Sequence, residues 1–310
     1  MKAIRMHSRG GPAALVYEEA PVPDLPPGNA LVRVHAVGIT PTELTWNSSY
    51  VTREKKERLP VIPGFEVAGT VDRVAPDVTK VSPGQEVYGL LDFWRDGAAA
   101  EFVAVRASDL APKPESLSFT HAAATPLSAL TAWQSLFDYA ELSNGHSVLI
   151  HGAGGGVGTF AVQFARWRGA HVFATCSERK VNLVRNLGAD RVIDYSRTRF
   201  QDELSGLDVV LDTVGGEVLE NSWNVLRRGG SLVTIVGDIS EAKAAECGVR
   251  GFSILVEPNR EELVRIARLI DAGEVKPVVD AVFPLSRAKE AFERGLSGHN
   301  RGKVVLTIEG

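Results

Sequence analysis

Between Ser147 and Arg168 the chain runs from a four-residue apolar segment, Val148-Leu149-Ile150-His151, through Gly152-Ala153-Gly154-Gly155-Gly156-Val157-Gly158 into the helical stretch Thr159 to Arg168. Five glycines within eight residues leave little room for side chains, so the backbone turns tightly and a ligand or a second backbone can come close. The same strand-and-helix unit then repeats. His171-Val172-Phe173-Ala174-Thr175 predicts a strand and Glu178 to Leu187 a helix. Further strands are expected at Arg191-Val192-Ile193, Leu207-Asp208-Val209-Val210-Leu211, Ser231 to Val236 and Phe252-Ser253-Ile254-Leu255-Val256, with helices between most of them and a last one over Glu261 to Asp271. Apolar strands alternating with amphipathic helices read as an α/β fold, a doubly wound parallel sheet covered on both faces.

The N-terminal third obeys another rhythm. Ala30 to Val37 and Val67-Ala68-Gly69-Thr70-Val71 alternate apolar and polar positions, and Pro76-Asp77 and Ser82-Pro83-Gly84 punctuate them as turns. Thr120 to Tyr139 is rich in Ala and Leu and predicts one or two buried helices. After a short helix from Ser286 to Arg294, the strand Val304-Val305-Leu306-Thr307-Ile308 is expected to rejoin the N-terminal β-rich domain. The organisation is therefore a β-rich domain of residues 1–120 and 273–310 that receives residues 121–272 as a dinucleotide-binding insertion.

The glycine turn predicts what the insertion binds. A pyrophosphate must approach the backbone closely, and a helix N-terminus supplies free N–H groups and the positive end of its dipole. Against the G-x-G-x-x-G pattern, Ala153 takes the first position, Gly155 the second and Gly158 the third. The motif lies between a strand and a helix in a βαβ series, the context that gives it weight over a simple packing turn. The end of the next strand separates two cofactors. A site for NAD usually places an acid there for the ribose 2′-hydroxyl. Here Ala174-Thr175-Cys176-Ser177 ends without one, and Glu178-Arg179-Lys180 comes next. Ser177 and Lys180 can donate to a 2′-phosphate that a carboxylate would repel, so NADP is the expected cofactor. Glu178 reads as a first-turn residue favourable to the helix dipole, and an ordinary exposed face remains the alternative for Arg179 and Lys180.

Composition narrows the remaining classes. A chain of 310 residues with 44% hydrophobic residues can bury two cores. A net charge of −4 gives no footprint for nucleic acid or an anionic membrane, and no apolar run approaches the roughly 20 residues of a membrane span. Met1-Lys2-Ala3-Ile4-Arg5 opens like a strand rather than a signal peptide, and two isolated cysteines, Cys176 and Cys247, read as small buried hydrophobes in a reducing cytoplasm.

Several stretches together carry a family pattern: Pro63-Gly64-Phe65-Glu66-Val67-Ala68-Gly69-Thr70-Val71, Ala123-Ala124-Thr125-Pro126-Leu127-Ser128-Ala129-Leu130-Thr131-Ala132-Trp133, the 152–158 turn, Asp212-Thr213-Val214-Gly215-Gly216 and Arg301-Gly302-Lys303-Val304-Val305-Leu306. The chain resembles the medium-chain dehydrogenase/reductase superfamily, in its zinc-free, quinone-oxidoreductase-like branch that includes ζ-crystallin. The resemblance implies a Rossmann domain inserted in a GroES-like β domain, with the active site in the cleft between them. It implies that Lys180 and Tyr195 hold the 2′-phosphate end and that Thr131 stands near the nicotinamide. It also implies that Val214, Val236 and Gly237 line the nicotinamide ribose. Without that likeness, Tyr195 would read as a half-buried aromatic at a strand end. Zinc-dependent members of the superfamily hold their metal with a Cys-His-Cys set; the matching positions here are Thr40, Phe65 and Leu127, none of them a soft ligand. None of the seven histidines forms a metal-binding pair, so no metal is expected.

Without a Lewis acid, the expected acceptor is conjugated: a quinone or an α,β-unsaturated carbonyl spreads incoming charge onto an oxygen that hydrogen-bond donors can hold. The substrate-side candidates are Thr40, Glu43, Trp46, Tyr50 and Phe65, with Thr40 for the developing oxyanion and Tyr50 and Thr131 for positioning. Trp46 and Tyr50 either sandwich a flat ring or pack beneath their loop, and Glu66 reads as a structural acid. Asp92-Phe93-Trp94-Arg95-Asp96-Gly97 is expected to form a second loop at the mouth. An enoyl-thioester reductase and a non-catalytic NADPH-binding sensor or structural protein remain open. The apolar Phe252–Val256 strand predicts a homodimer through the sheet edge, unless a loop covers it.

Overall fold

The computed structural model describes residues 1–308, and they form two compact units. The first opens with the hairpin β1 (Lys2–Met6) and β2 (Leu15–Glu19). It continues through β3 (Asn29–Ile39), β4 (Glu66–Val74), β5 (Glu86–Leu90), β6 (Phe102–Arg106) and β7 (Leu110–Pro112), then α1 (Phe119–Ala123) and the start of α2 (Pro126–Trp133). Period-2 patterning explains the long β3, whose inward positions Val32, Val34 and Ala36 are buried while Arg33 faces out.

The second unit is the expected parallel sheet. Its strands are β8 (Ser147–Ile150), β9 (His171–Cys176), β10 (Arg191–Asp194), β11 (Leu207–Asp212), β12 (Leu226–Thr234) and β13 (Arg250–Ser253), in the order β10-β9-β8-β11-β12-β13, all parallel. Helices α3 (Gly156–Trp167), α4 (Val181–Asn186), α5 (Glu217–Ser222) and α6 (Glu241–Cys247) connect them. Leu149, Val210, Leu232 and Ile193 on the sheet pack with Trp223 and Phe200 in one apolar cluster. The strand order reverses between β8 and β11, the point where an open α/β sheet presents a crevice for a ligand.

The chain then returns to the first unit through α7 (Arg260–Asp271), β14 (Val279–Pro284), α8 (Ala288–Leu296) and β15 (Lys303–Thr307). As expected, the last strand rejoins the β domain, pairing with β14 in parallel and β3 in antiparallel fashion to give the order β14-β15-β3-β4-β5-β7, with β6 also on β3. The compact units meet at Leu127 and Val256 rather than at the expected 120 and 272. The reason is α7. Asn259 caps it, its Leu263 carbonyl accepts from the buried Tyr88 hydroxyl at 2.6 Å, and Asp271 accepts from Ser116, so it belongs to the β domain. The expected strand Phe252–Val256 is also shorter: β13 ends at Ser253, and Ile254 and Val256 are buried beyond it while Leu255 is exposed.

Candidate active site

In the second unit the glycine turn takes the form its sequence requires. Gly152 has φ +67°, and a Cβ there would lie 2.3 Å from Thr213 Oγ1. Gly158 sits in the first turn of α3, and its Cβ would lie 2.5 Å from the Gly152 carbonyl and 2.6 Å from Ala153 Cα, so helix and turn pack closely only because both are bare. Gly155 caps α3 without a side chain, which leaves the N–H groups of Gly156, Val157 and Gly158 at the helix start facing the turn. Ala153 is buried.

The aliphatic stem of Lys180 lies across Gly154: a Cβ at Gly154 would fall 2.4 Å from Lys180 Cδ. Ser177 caps the short 3-10 turn that presents Lys180, and Tyr195 is 64% exposed, its N–H donating to the Cys176 carbonyl. Glu178 is ion-paired with Arg197 and so is held by a cation instead of standing alone at the ribose end. At the other end, Val214 and Val236 are both exposed at the carboxyl ends of β11 and β12, and a Cβ on Gly215 would touch Val236. Val214 also lies beside Gly152, and Gly237 comes next in the same rim. The turn, Lys180 with Ser177, and the Val214–Val236 rim are therefore one surface.

Two supports of this surface escaped the sequence reading. Asp212 is fully buried and accepts from the N–H groups of Val214 and Gly215 at 3.0 Å and from the Thr234 hydroxyl at 2.9 Å, which fixes the rim. Its sequence signals are an acid at the end of a mostly apolar strand and its place in the Asp212–Gly216 family stretch, neither of which shows what it binds. His151, which the sequence shows only as the polar end of an apolar strand, is fully buried between the hydroxyls of Thr175 (2.9 Å) and Ser222 (3.2 Å). Burial lowers its pKa to about 4, and its carbonyl accepts from Thr213 beneath the turn. Thr131 is buried in α2, with its carbonyl taken by Ser135 at 2.6 Å.

In the first unit, adjacent strands β15, β3 and β4 bring Lys303, Thr40 and Glu66 together. Lys303 Nζ donates to Thr40 Oγ1 at 3.1 Å and is ion-paired with Glu66, whose other oxygen accepts from the Leu127 N–H at 3.0 Å. Glu66 is thus the structural acid expected. Lys303 was missed because a single lysine opening an apolar strand reads as a solvated end. Glu43, expected toward substrate, is 1% exposed: its carboxyl accepts from the Gly64 N–H at 3.0 Å, and burial pushes its pKa up to about 8 despite the Lys303 charge. Tyr50 also needs correction. It is buried, its hydroxyl donates to the Leu44 carbonyl and its ring lies under Arg9, so it packs its loop and has no free hydroxyl to position a substrate. Trp46 instead groups with the buried Phe65 (6.1 Å between rings) and with Phe93 (5.3 Å), a residue of the 92–97 loop. That loop is tied down by Arg53 and Arg106 on Asp92 and by Arg58 on Asp96.

Comparison with known proteins adds the family. Residues 26–115 match the alcohol dehydrogenase GroES-like domain family and residues 187–306 the zinc-binding dehydrogenase family. A probable zinc-binding oxidoreductase, mitochondrial, of Arthroderma benhamiae is 35% identical over 93% of this chain and 91% of its own. The NADPH-dependent alkenal/one oxidoreductase, chloroplastic, of Arabidopsis thaliana is 33% identical over 99% of this chain and 79% of its own. The structure of the quinone oxidoreductase from Coxiella burnetii superposes with a TM-score of 0.91 at 32% identity, covering 100% and 99% of the two chains. The chain belongs to the medium-chain dehydrogenase/reductase superfamily. It lies in the quinone-oxidoreductase-like branch and is an oxidoreductase.

The superfamily raises the question of zinc, to which the chemistry of the side chains at the matching positions is relevant. Phe65 and Leu127 offer hydrocarbon, and the Thr40 oxygen faces an ammonium group that a dication would repel. Among the described residues no group of three or more His, Cys, Asp or Glu is placed to hold a metal. These residues do not fit the metal of the zinc-dependent members. A dinucleotide, in contrast, fits the turn Gly152–Gly158, which packs tightly through its bare glycines and leads into the uncapped N-terminus of α3 at the point where the strand order reverses.

Proposed function

We propose that this oxidoreductase uses NADPH to reduce a quinone or an α,β-unsaturated carbonyl without a metal. The observation that carries the reading is the donor set at Thr40, Phe65 and Leu127: one half-buried hydroxyl beside two hydrocarbon side chains. An alkoxide forming from a simple ketone needs a Lewis acid or a strong proton donor, whereas a conjugated acceptor delocalises its charge and needs only a hydrogen bond. The cofactor, when bound, supplies the hydride. Ser177 and Lys180 take the 2′-phosphate, Gly155 to Gly158 face the pyrophosphate, and Val214, Val236, Gly237 and Thr131 position the nicotinamide end. Thr40 holds the developing oxyanion, Trp46 offers an aromatic wall backed by the buried Phe65, which supports that wall and does not itself face substrate, and the proton comes from water or a loop hydroxyl. The names of the relatives support both acceptor classes.

The test uses NADPH deuterated at C4, once on each face, with 2-cyclohexenone or 1,4-benzoquinone in the presence of chelator. Label on the β-carbon of the ketone product, or a primary isotope effect with the quinone, is expected at an undiminished rate. An unlabelled product from both cofactors, or loss of turnover in chelator, overturns the reading. Tight NADPH binding with no turnover across a panel of enones and quinones would point to a sensor instead.

We also read the protein as a homodimer joined through β13, the last strand of its sheet, which is paired on one side only by β12. Light scattering should give twice 33.3 kDa. A stable monomer at micromolar concentration would refute it. Cys176 and Cys247 are free thiols, which supports a reducing compartment such as the cytoplasm.

A further inference from the structure

We propose that Lys303 is a positioning residue for this reaction: by donating to Thr40 Oγ1 at 3.1 Å, it turns the Thr40 hydroxyl proton outward to the substrate oxygen. The inference rests on the proposed role of Thr40 and adds the device that makes its hydroxyl a donor.

The hydrogen-bond inventory decides the direction. A lysine ammonium has three donors and no acceptor, so the Lys303–Thr40 contact fixes Thr40 Oγ1 as the acceptor. The hydroxyl keeps one proton, which meets no acceptor among the described residues. An isolated threonine hydroxyl rotates and accepts as readily as it donates. With an ammonium on its lone pair it presents its proton, and the cation polarises that O–H bond.

The arrangement is built at some expense to stability. Lys303 is 7% and Glu66 1% exposed, and a buried ion pair seldom stabilises a fold more than apolar packing would. Glu66 is itself fixed from a second side by the Leu127 N–H. Gly38, near the end of β3 and two residues before Thr40, leaves the space for it. A Cβ there would lie 2.9 Å from Glu66 Oε2 and 2.2 Å from the Ala123 carbonyl. Glu66 holds Lys303, and Lys303 orients Thr40.

The step balances without a proton leaving either residue. The hydride that NADPH would give up on oxidation to NADP+ adds to the β-carbon, the C=C pair moves to form an enolate, and the enolate oxygen accepts from Thr40. Water then protonates the α-carbon, leaving hydroxide to the solvent, as the C=O bond re-forms.

The test is a double-mutant cycle with two readouts on the NADP+ or NADPH complex: affinity for p-nitrophenolate, a stable oxyanion, and kcat for 2-cyclohexenone. Lys303→Met should reduce both by about tenfold where Thr40 is present and by less than twofold in a Thr40→Val background. If Lys303→Met does not fold, Lys303→Met/Glu66→Gln removes both charges while keeping an oxygen for Leu127, and it takes the same place in the cycle. Equal losses with and without Thr40 would make Lys303 a structural residue only and overturn the proposal. So would a wild-type complex that fails to bind the phenolate. A wild type that binds it through Thr40 and Lys303, yet turns over no enone or quinone, would sink the proposed reaction while leaving the oriented donor in place.

Discussion

In the proposed function one residue, Lys180, selects the cofactor. Its stem lies over Gly154, which sets its ammonium at the end of the glycine turn where β9 finishes without an acid. The acid that follows in sequence, Glu178, and Asp194 on the neighbouring strand are both engaged by Arg197. Lys180→Ala should therefore weaken NADPH binding about tenfold or more, the loss of one charge-assisted hydrogen bond, and leave NADH binding almost unchanged. Calorimetry with both cofactors checks this, and an equal loss for both would remove Lys180 from the 2′-phosphate end. The glycine turn and the strand end without an acid were legible because they are local features of the chain. Glu43 and Tyr50 were not. Both lie beside a plausible substrate loop, and nothing in their neighbours along the chain tells that Gly64 and Leu44 take up their polar atoms. Lys303 and Glu66 are 237 positions apart in sequence numbering, so their pairing is a property of strand order alone.

At the scale of elements, periodicity carried the reading well where a strand is buried on both faces, as in β8, β9 and β11, and less well where partners decide. The strand expected from Ser231 begins at Leu226, because Arg227, Arg228 and two glycines form an irregular bulge against β11, with Gly229 at φ +77°, and such a stretch reads as a turn. The Ala- and Leu-rich run from Thr120 breaks into α1, α2 and a wider π turn over Gln134–Tyr139, with Pro126 opening α2. Helix α7 was placed almost to the residue, from an apolar stripe at Leu263, Ile266, Ala267 and Ile270. Which unit it covers was not visible, because a stripe states that a face is buried without saying against what. The same limit shortened the Phe252–Val256 strand: alternate burial of Ile254 and Val256 imitates a strand that has no ladder partner after Ser253.

For the whole molecule, the buried acid of one unit and the buried imidazole of the other oppose each other in pH. His151 is held neutral by burial, with a folded pKa of about 4 against roughly 6.5 in an unfolded chain. Its contribution is complete above the unfolded value and is lost as pH falls from there to about 4, when only the unfolded state takes the proton, a loss of roughly 3 kcal/mol at most. Glu43 runs the other way. Its folded pKa of about 8 lies above the ordinary carboxyl range, again chiefly through burial. Its contribution is complete below that range and drains away as pH rises through 8, because the unfolded chain ionises first. Stability should accordingly peak between the two and fall on both sides. Glu43→Gln separates the limbs, since its amide oxygen can still accept from the Gly64 N–H but has no proton to lose. Urea unfolding at a series of pH values should show this variant gaining on the wild type steadily from the ordinary carboxyl range up to about pH 8 and levelling off above it, while below that range the two curves run parallel. A constant difference between the curves from about pH 5 to pH 9 would mean that Glu43 is already ionised in the folded state, and the buried Lys303 charge, not burial, would then be setting its protonation.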